Sequence, residues 1–341
     1  MIANSMIPLV QGNSAVRAMF EQGKKMAAIY GEENVYDFSL GNPNLYPPEA
    51  VKDAIIDILN TEDPHKVHGY MSNAGFESTR KAIADDLNER FNTDFGAKNI
   101  IMTVGAGSAI NVALRTILDP GDEVIIPQPA YVSYEPCTIM AGGKPVIIDL
   151  KAENEFRLTP EELEAAITPK TKVLILPFPN NPTGAIMESK DLEAIIPIII
   201  KHDLIVMSDE IYAELTYTGK HVSIASYPGM KERTILINGF SKAFAMTGWR
   251  LGYACGPAEI IEQMTKLHQY AIMCAPTLSQ YGAIEAVKNS DEEVENMVKQ
   301  YNQRRRFLLS ELERLGLDCF EPGGAFYVFP SIKKTGMTSE E

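Results

Sequence analysis

Between residues 96 and 255 the chain repeats one pattern, a short run of apolar, β-branched residues followed by a turn or a helix-length segment. The runs are "NIIMTV", "DEVIIP", "KPVIIDL", "TKVLILPF", "DLIVMSD" and "RTILING"; segments such as "SAINVALRTIL" and "ESKDLEAIIPIIIKH" separate several of them. Runs that are apolar throughout indicate strands covered on both faces. Their alternation with helices predicts an α/β fold around a mostly parallel sheet. "LTPEELEAAI" carries its own helix start, with Thr159 as N-cap, Pro160 at the first helical position and Glu162 at the capping-box position.

After residue 257 the pattern turns helical, from "PAEIIEQMTKLHQYA" through "DEEVENMVKQYNQRRRFLLSELERLG", and "GAFYVFP" reads as a short strand. The first 48 residues are partly helical and end in the turn-rich "LGNPNLYPPE". The chain therefore reads as a large domain, 49–283, and a smaller α+β domain built from both ends, 1–48 and 284–341.

Composition narrows the function. The 341 residues are 45% hydrophobic and 22% charged, ordinary for a globular chain with ample core. A formal charge of −14 would repel a phosphate backbone, which argues against nucleic acid as a partner. "IIPIII" is too short for the roughly 18 apolar residues of a membrane span, and the N-terminus shows no signal-peptide pattern. The four cysteines form no CxxC pair, so reduced thiols in a cytoplasmic protein are the economical reading. His65 and His68 in "PHKVHGY" have HxxH spacing without a carboxylate or cysteine partner, so they read as a loop and no metal is expected.

Ligands of α/β sheets sit at the carboxyl ends of strands. "NIIMTV" runs into "GAGSAI", where the amides of Ala106 and Gly107 at a helix N-terminus suit a phosphate; an ordinary tight turn explains the glycines equally well. "PFPNNPTG" places Asn180 and Asn181 at another strand end, with the backbone fixed by prolines. Asp209 closes the apolar "DLIVMSD", where a carboxylate needs a cationic partner unless it is only a helix cap. Tyr212 follows three residues on, as core or as a phenol in a site. Lys242 in "NGFSKAFAMTGWRLGYACGP" sits among small and apolar residues, with Arg250 eight positions later. It is either a surface lysine at a turn or an amine whose pKa is lowered by desolvation and which can act as a nucleophile. A phosphate site, an acid wanting a cation, a phenol, an amide and a poised lysine together match pyridoxal phosphate.

The chain resembles fold-type-I pyridoxal-phosphate enzymes of the class I/II aminotransferase family, the aspartate aminotransferase relatives. "GFSKAFAMTGWRLG" matches the family's lysine signature, and "SLGNPN", "NNPTG" and "SDEIY" occur in the expected order. The resemblance implies a seven-stranded sheet and an enzyme exchanging an amino group between an L-amino acid and a 2-oxo acid in ping-pong fashion. It makes Lys242 the Schiff-base lysine, Asp209 the acid at the pyridinium, and Tyr212 and Asn181 the donors to the ring oxygen. Arg250 becomes the phosphate fork and Tyr131, in "PAYVSY", the ring-stacking aromatic. Gly41 offers its backbone to the substrate carboxylate, and Tyr70 reaches a neighbouring subunit's phosphate, which implies a homodimer. Carbon–sulfur β-lyase chemistry is the alternative, and a non-catalytic cofactor-binding regulator a more distant one.

Three departures stand out. Gly239 occupies a position where many relatives carry a phosphate-binding serine, with Ser241 the nearest hydroxyl. Gly107 replaces the lysine that one aspartate-specific subgroup uses for the distal carboxylate, and no partner-reaching arginine is evident around "MCAPTLSQ". Dicarboxylate specificity is therefore not implied. The closing "TSEE" is a helix-start signal, Thr338 to Glu341, with no helix after it. Since the resemblance implies several dozen further residues and another arginine, the sequence is expected to be a piece of a longer chain.

Overall fold

The computed structural model describes residues 15–339 together with Ile2 and Met6, and everything below concerns those residues. The "TSEE" signal ends in residues outside them. The chain divides into two compact units, one ending at Pro43 and one beginning at Asn44. The first contains the helix Ala15–Tyr30, a short turn of helix Glu32–Asn34 and the segment bearing Gly41.

The second unit is built on a seven-stranded sheet. Its strands are β1 (Ile100–Thr103), β2 (Glu123–Gln128), β3 (Lys144–Asp149), β4 (Thr171–Leu176), β5 (Ile205–Asp209), β6 (Thr234–Gly239) and β7 (Gly252–Cys255). Their spatial order is β1-β7-β6-β5-β4-β2-β3. β7 runs antiparallel to both of its neighbours, and every other pairing is parallel. The six apolar runs read from the sequence are β1 to β6, and β7 follows Arg250.

The uninterrupted apolar character of the runs has its cause in the layers. Successive residues of a strand point to opposite faces, and both faces are covered. Ile101 packs with Ile110, Leu114 and Ile126 on one side, while Ile100 and Met102 pack with Leu87, Leu236 and Phe240 on the other. A further cluster joins Ile125, Leu174 and Val206 to Leu192 and Ile195 of the helix Ser189–Lys201. The helix Pro160–Ala166 starts as its sequence dictates. Thr159 Oγ1 accepts from Glu162 N at 3.3 Å, and Glu162 Oε2 accepts from Thr159 N at 3.1 Å.

Two expectations are corrected. "GAFYVFP" is not a strand, because Ala325 adopts a left-handed conformation (φ 56°) that breaks the extended run. Its strand-type pairing is limited, among the described residues, to the isolated bridges of Gly324 to Thr216 and Pro330 to Cys319. His65 and His68 are not in a loop but in the short helix Pro64–His68, begun by Pro64 and capped by Asp63 Oδ1, which accepts from His65 N at 2.9 Å.

Candidate active site

The parallel strands end on one side of the sheet, and the antiparallel β7 begins there. Gly252 lies opposite both Thr103, the last residue of β1, and Gly239, the last of β6. That register brings the helix after β1, the turn after β6 and Arg250 just before β7 to one place. Asp209 ends β5, and Asn181 and Tyr131 follow β4 and β2.

Backbone contact makes the meeting tight. Gly105, at φ 76°, caps the helix Ala106–Ile117, and a Cβ there would lie 2.7 Å from Arg250 Nη2. A Cβ on Gly252 would lie 2.5 Å from Ala106 N, and one on Gly239 2.8 Å from Gly252 Cα and 2.9 Å from Leu251 O. Gly239 is therefore a residue of close approach, and this explains why no serine stands there. Ala106 and Gly107 open the helix, so their amides have no acceptor within it, and the Cα of Gly107 faces open space. With the guanidinium of Arg250 lying across Gly105, the arrangement has the donors and charge that suit a dianion.

Asp209 is buried. Its Oδ2 accepts from Tyr134 Oη at 2.7 Å and its Oδ1 from Ile211 N at 3.2 Å. Burial pushes the carboxyl up to about 6, although the Tyr134 bond opposes it. No cation pairs with this carboxylate among the described residues. Lys242 is half-buried, with its Nζ 5.4 Å from the ring centre of Phe326 and 5.7 Å from that of Tyr212. Burial, and secondarily the charge of Arg250, lowers its amine to about 8. Tyr212 Oη lies 2.6 Å from Tyr327 Oη. Burial raises both phenols, Tyr327 to about 12.

Tyr131, 40% exposed, stands edge-on to Tyr134 with ring centres 5.6 Å apart. Asn180 is the buried latch of its turn: its Oδ1 accepts from Thr183 N and Oγ1 at 3.1 and 2.8 Å, and its Nδ2 donates to Pro129 O at 3.2 Å. Asn181, next to it, is only half-buried. Tyr70 lies outside this group and is 87% exposed. Gly41 belongs to the first compact unit.

Three residues escaped the sequence reading. Tyr134 had a usable signal, since it follows Tyr131 by three positions at the start of the helix Tyr134–Met140. Tyr327 and Phe326 had none, because 115 positions separate Tyr327 from its partner Tyr212.

The residues fit pyridoxal phosphate. A buried acid without a cation suits a protonated ring nitrogen, a helix N-terminus with a guanidinium suits the phosphate, and a lysine held near 8 suits an aldehyde. The comparisons agree. The family described as aminotransferase class I and II matches residues 33–340, and the chain belongs to it. It is 44% identical over 332 residues to an aspartate aminotransferase of Pyrococcus abyssi, covering 96% of this chain and 83% of that protein. It is 42% identical to aromatic-amino-acid aminotransferase 2 of Thermococcus litoralis, with the same coverage of each. Among solved structures, the aspartate aminotransferase of Thermus thermophilus with maleate superposes with a TM-score of 0.90 at 35% identity, covering 98% of this chain and 86% of that one. The protein is a pyridoxal-phosphate-dependent amino-acid aminotransferase with the fold-type-I architecture. Among the described residues no helix is long and apolar enough to cross a membrane.

Proposed function

We propose that Lys242 holds the cofactor covalently and then, displaced by the incoming amino acid, carries the proton between the substrate's Cα and the cofactor's C4′. The observation that carries this is the convergence of Lys242, Asp209 and the Ala106–Gly107 amides at one end of the sheet, with the lysine amine lowered to about 8. The cofactor, when bound, supplies the electron sink for the carbanion at Cα. Asp209 keeps a proton on the ring nitrogen. Tyr212 and Asn181 donate to the ring oxygen, Arg250 and the helix amides hold the phosphate, and Tyr131 covers the ring. The body holding the cofactor is 49–283, with 1–48 and 284–341 as the smaller domain.

Reduction of the native protein with borohydride and peptide mapping tests the first claim. The label belongs on Lys242, and a label elsewhere, or none, defeats it. Lys242→Ala should lose turnover while binding cofactor non-covalently.

The amino donor is proposed to be neutral or aromatic as readily as acidic. Support comes from the rings of Tyr212 and Phe326 facing the lysine and from relatives named for aspartate and for aromatic amino acids. A panel of aspartate, alanine, leucine and phenylalanine with 2-oxoglutarate decides it; strong preference for aspartate alone would overturn it. The working form is proposed to be a cytoplasmic homodimer in which the exposed Tyr70 reaches the other subunit's phosphate. Sedimentation should give a dimer, and Tyr70→Phe should loosen cofactor retention. A fully active monomer would remove that role.

A further inference from the structure

The segment after Pro322 is fastened to the loop that carries Asp209 and Tyr212. Ala325 N donates to Leu215 O at 2.8 Å, Tyr217 N to Gly323 O at 2.8 Å, and Gly324 N to Gly184 O at 2.9 Å. The fit allows no slack, since a Cβ on Gly184 would lie 2.3 Å from Pro322 Cβ and one on Gly324 2.6 Å from Pro179 Cβ. Arg305 closes the other end by donating through Nη1 to Pro322 O at 3.0 Å and to Glu321 Oε1 at 2.8 Å. The strap therefore binds the turn of Asn181 to the loop of Tyr212, and it ends by placing Tyr327.

Tyr327 packs edge-on to Tyr212 at 5.7 Å between ring centres and leans on Phe326 at 4.9 Å. Its hydroxyl meets that of Tyr212 at 2.6 Å, a short separation for two phenols. A phenol has one proton to give. If Tyr212 gives its proton to the cofactor's ring oxygen, the proton between the two phenols must come from Tyr327.

We propose that Tyr327 is a positioning residue of the aminotransferase reaction. It donates to Tyr212, so that the Tyr212 proton points at the ring oxygen and is given more strongly, because consecutive hydrogen bonds polarise one another. The inference rests on the placement of Tyr212 beside the ring oxygen made in the preceding section. It differs from a mere packing role in one consequence. A stronger donor at the ring oxygen draws negative charge from it, and this lowers the pH at which the lysine-bound cofactor's absorbance titrates.

The test is the pH titration of visible absorbance in cofactor-loaded native protein, Tyr327→Phe, Tyr212→Phe and the double variant. Tyr327→Phe should raise the midpoint by about half a pH unit, the equivalent of one weakened neutral hydrogen bond. Tyr212→Phe should raise it further, and the double variant should match Tyr212→Phe alone, since Tyr327 acts only through Tyr212. An unmoved midpoint in Tyr327→Phe, with Tyr212→Phe shifted, overturns the relay while leaving the Tyr212 assignment intact. No shift in either variant, or no borohydride label on Lys242, strikes the underlying reading instead. Should Tyr327→Phe lower thermal stability, Phe326→Leu serves as the packing control: it disturbs the same aromatic cluster without removing a proton, and a midpoint shift as large as that of Tyr327→Phe would also overturn the relay.

Discussion

Tyr134 gives its hydroxyl proton to Asp209 across 2.7 Å inside the protein, from the helix that follows β2 to the end of β5. The bond favours the ionised carboxylate and works against the burial that lifts Asp209 to about 6. Tyr134→Phe removes the opposing influence. The variant's Asp209 should become protonated at higher pH, by about one unit for the loss of a single bond to a charged group. Cofactor affinity of the apo-protein should then weaken below about pH 7 in the variant, against about pH 6 in the native chain. The cofactor's phosphate titrates identically with both, so the difference isolates Asp209. Superimposable binding curves from pH 5 to 8 would show that the bond has no such influence.

Asp209 is also a liability in the apo-protein. A carboxyl raised from 3.8 to about 6 binds more protons folded than unfolded between those values, so its contribution makes stability fall as pH rises through that window. The cost is fully present above about 6. Asp209→Asn should stabilise the apo-protein by about 2 kcal/mol at pH 8 and by almost nothing below pH 4. If Asp209 serves as proposed, the same variant should lose about a hundredfold or more in kcat, because the ring nitrogen would lose its anionic partner. Urea titrations at the two pH values read the first effect. A stability loss at pH 8 would mean that the carboxylate is already compensated in the folded chain.

Much of this was legible because the fold and the site share one signal. An apolar run that ends abruptly in Asp209, in the "NNPTG" turn or in Gly105 marks both a strand and the sheet end where α/β folds bind ligands, so the six runs located six strands and gathered the candidate residues at one end of the sheet. What stayed hidden depends on distance through the fold. Nothing in "GAFYVFP" indicates that Ala325 turns left-handed and that Tyr327 then lies against Tyr212; two backbone bonds to Leu215 and Tyr217, far away in sequence, set that geometry. Gly239 shows the other limit. Its meaning came from the backbone of β7 lying against it, which no local pattern records.

Lys242 should reveal its environment to a probe that lacks a phosphate. Labelling of the apo-protein by pyridoxal and borohydride requires the neutral amine, whose fraction rises as pH passes the amine's pKa. The rate of labelling at Lys242 should therefore climb to a plateau with a midpoint near 8 rather than continue rising beyond 10. Burial is the larger cause and Arg250 the smaller, so Arg250→Gln should move the midpoint upward by a fraction of a unit. A midpoint above 10 in the native chain would return Lys242 to the class of ordinary surface lysines.

Gly239 invites the substitution that the family pattern suggests, a serine to donate to the phosphate. The geometry predicts that it fails. Any Cβ at 239 would sit 2.8 Å from Gly252 Cα and 2.9 Å from Leu251 O, and both belong to backbone that cannot swing away as a side chain would. Strand β7 would have to part from β6, yet Gly252 is itself pressed against Ala106 at the helix end, so the displacement would reach the helix amides. Gly239→Ser should lower stability by about 2 kcal/mol or more, the ordinary penalty of overpacking a closed core. Its cofactor affinity should fall and not rise. Gly239→Ala should do the same, which assigns the damage to Cβ and not to the hydroxyl. Urea midpoints and equilibrium dialysis against the cofactor measure the two quantities. A Gly239→Ser variant as stable as the native chain and tighter for cofactor would show that β6 and β7 can separate at this end, and that the glycine records history and not close contact.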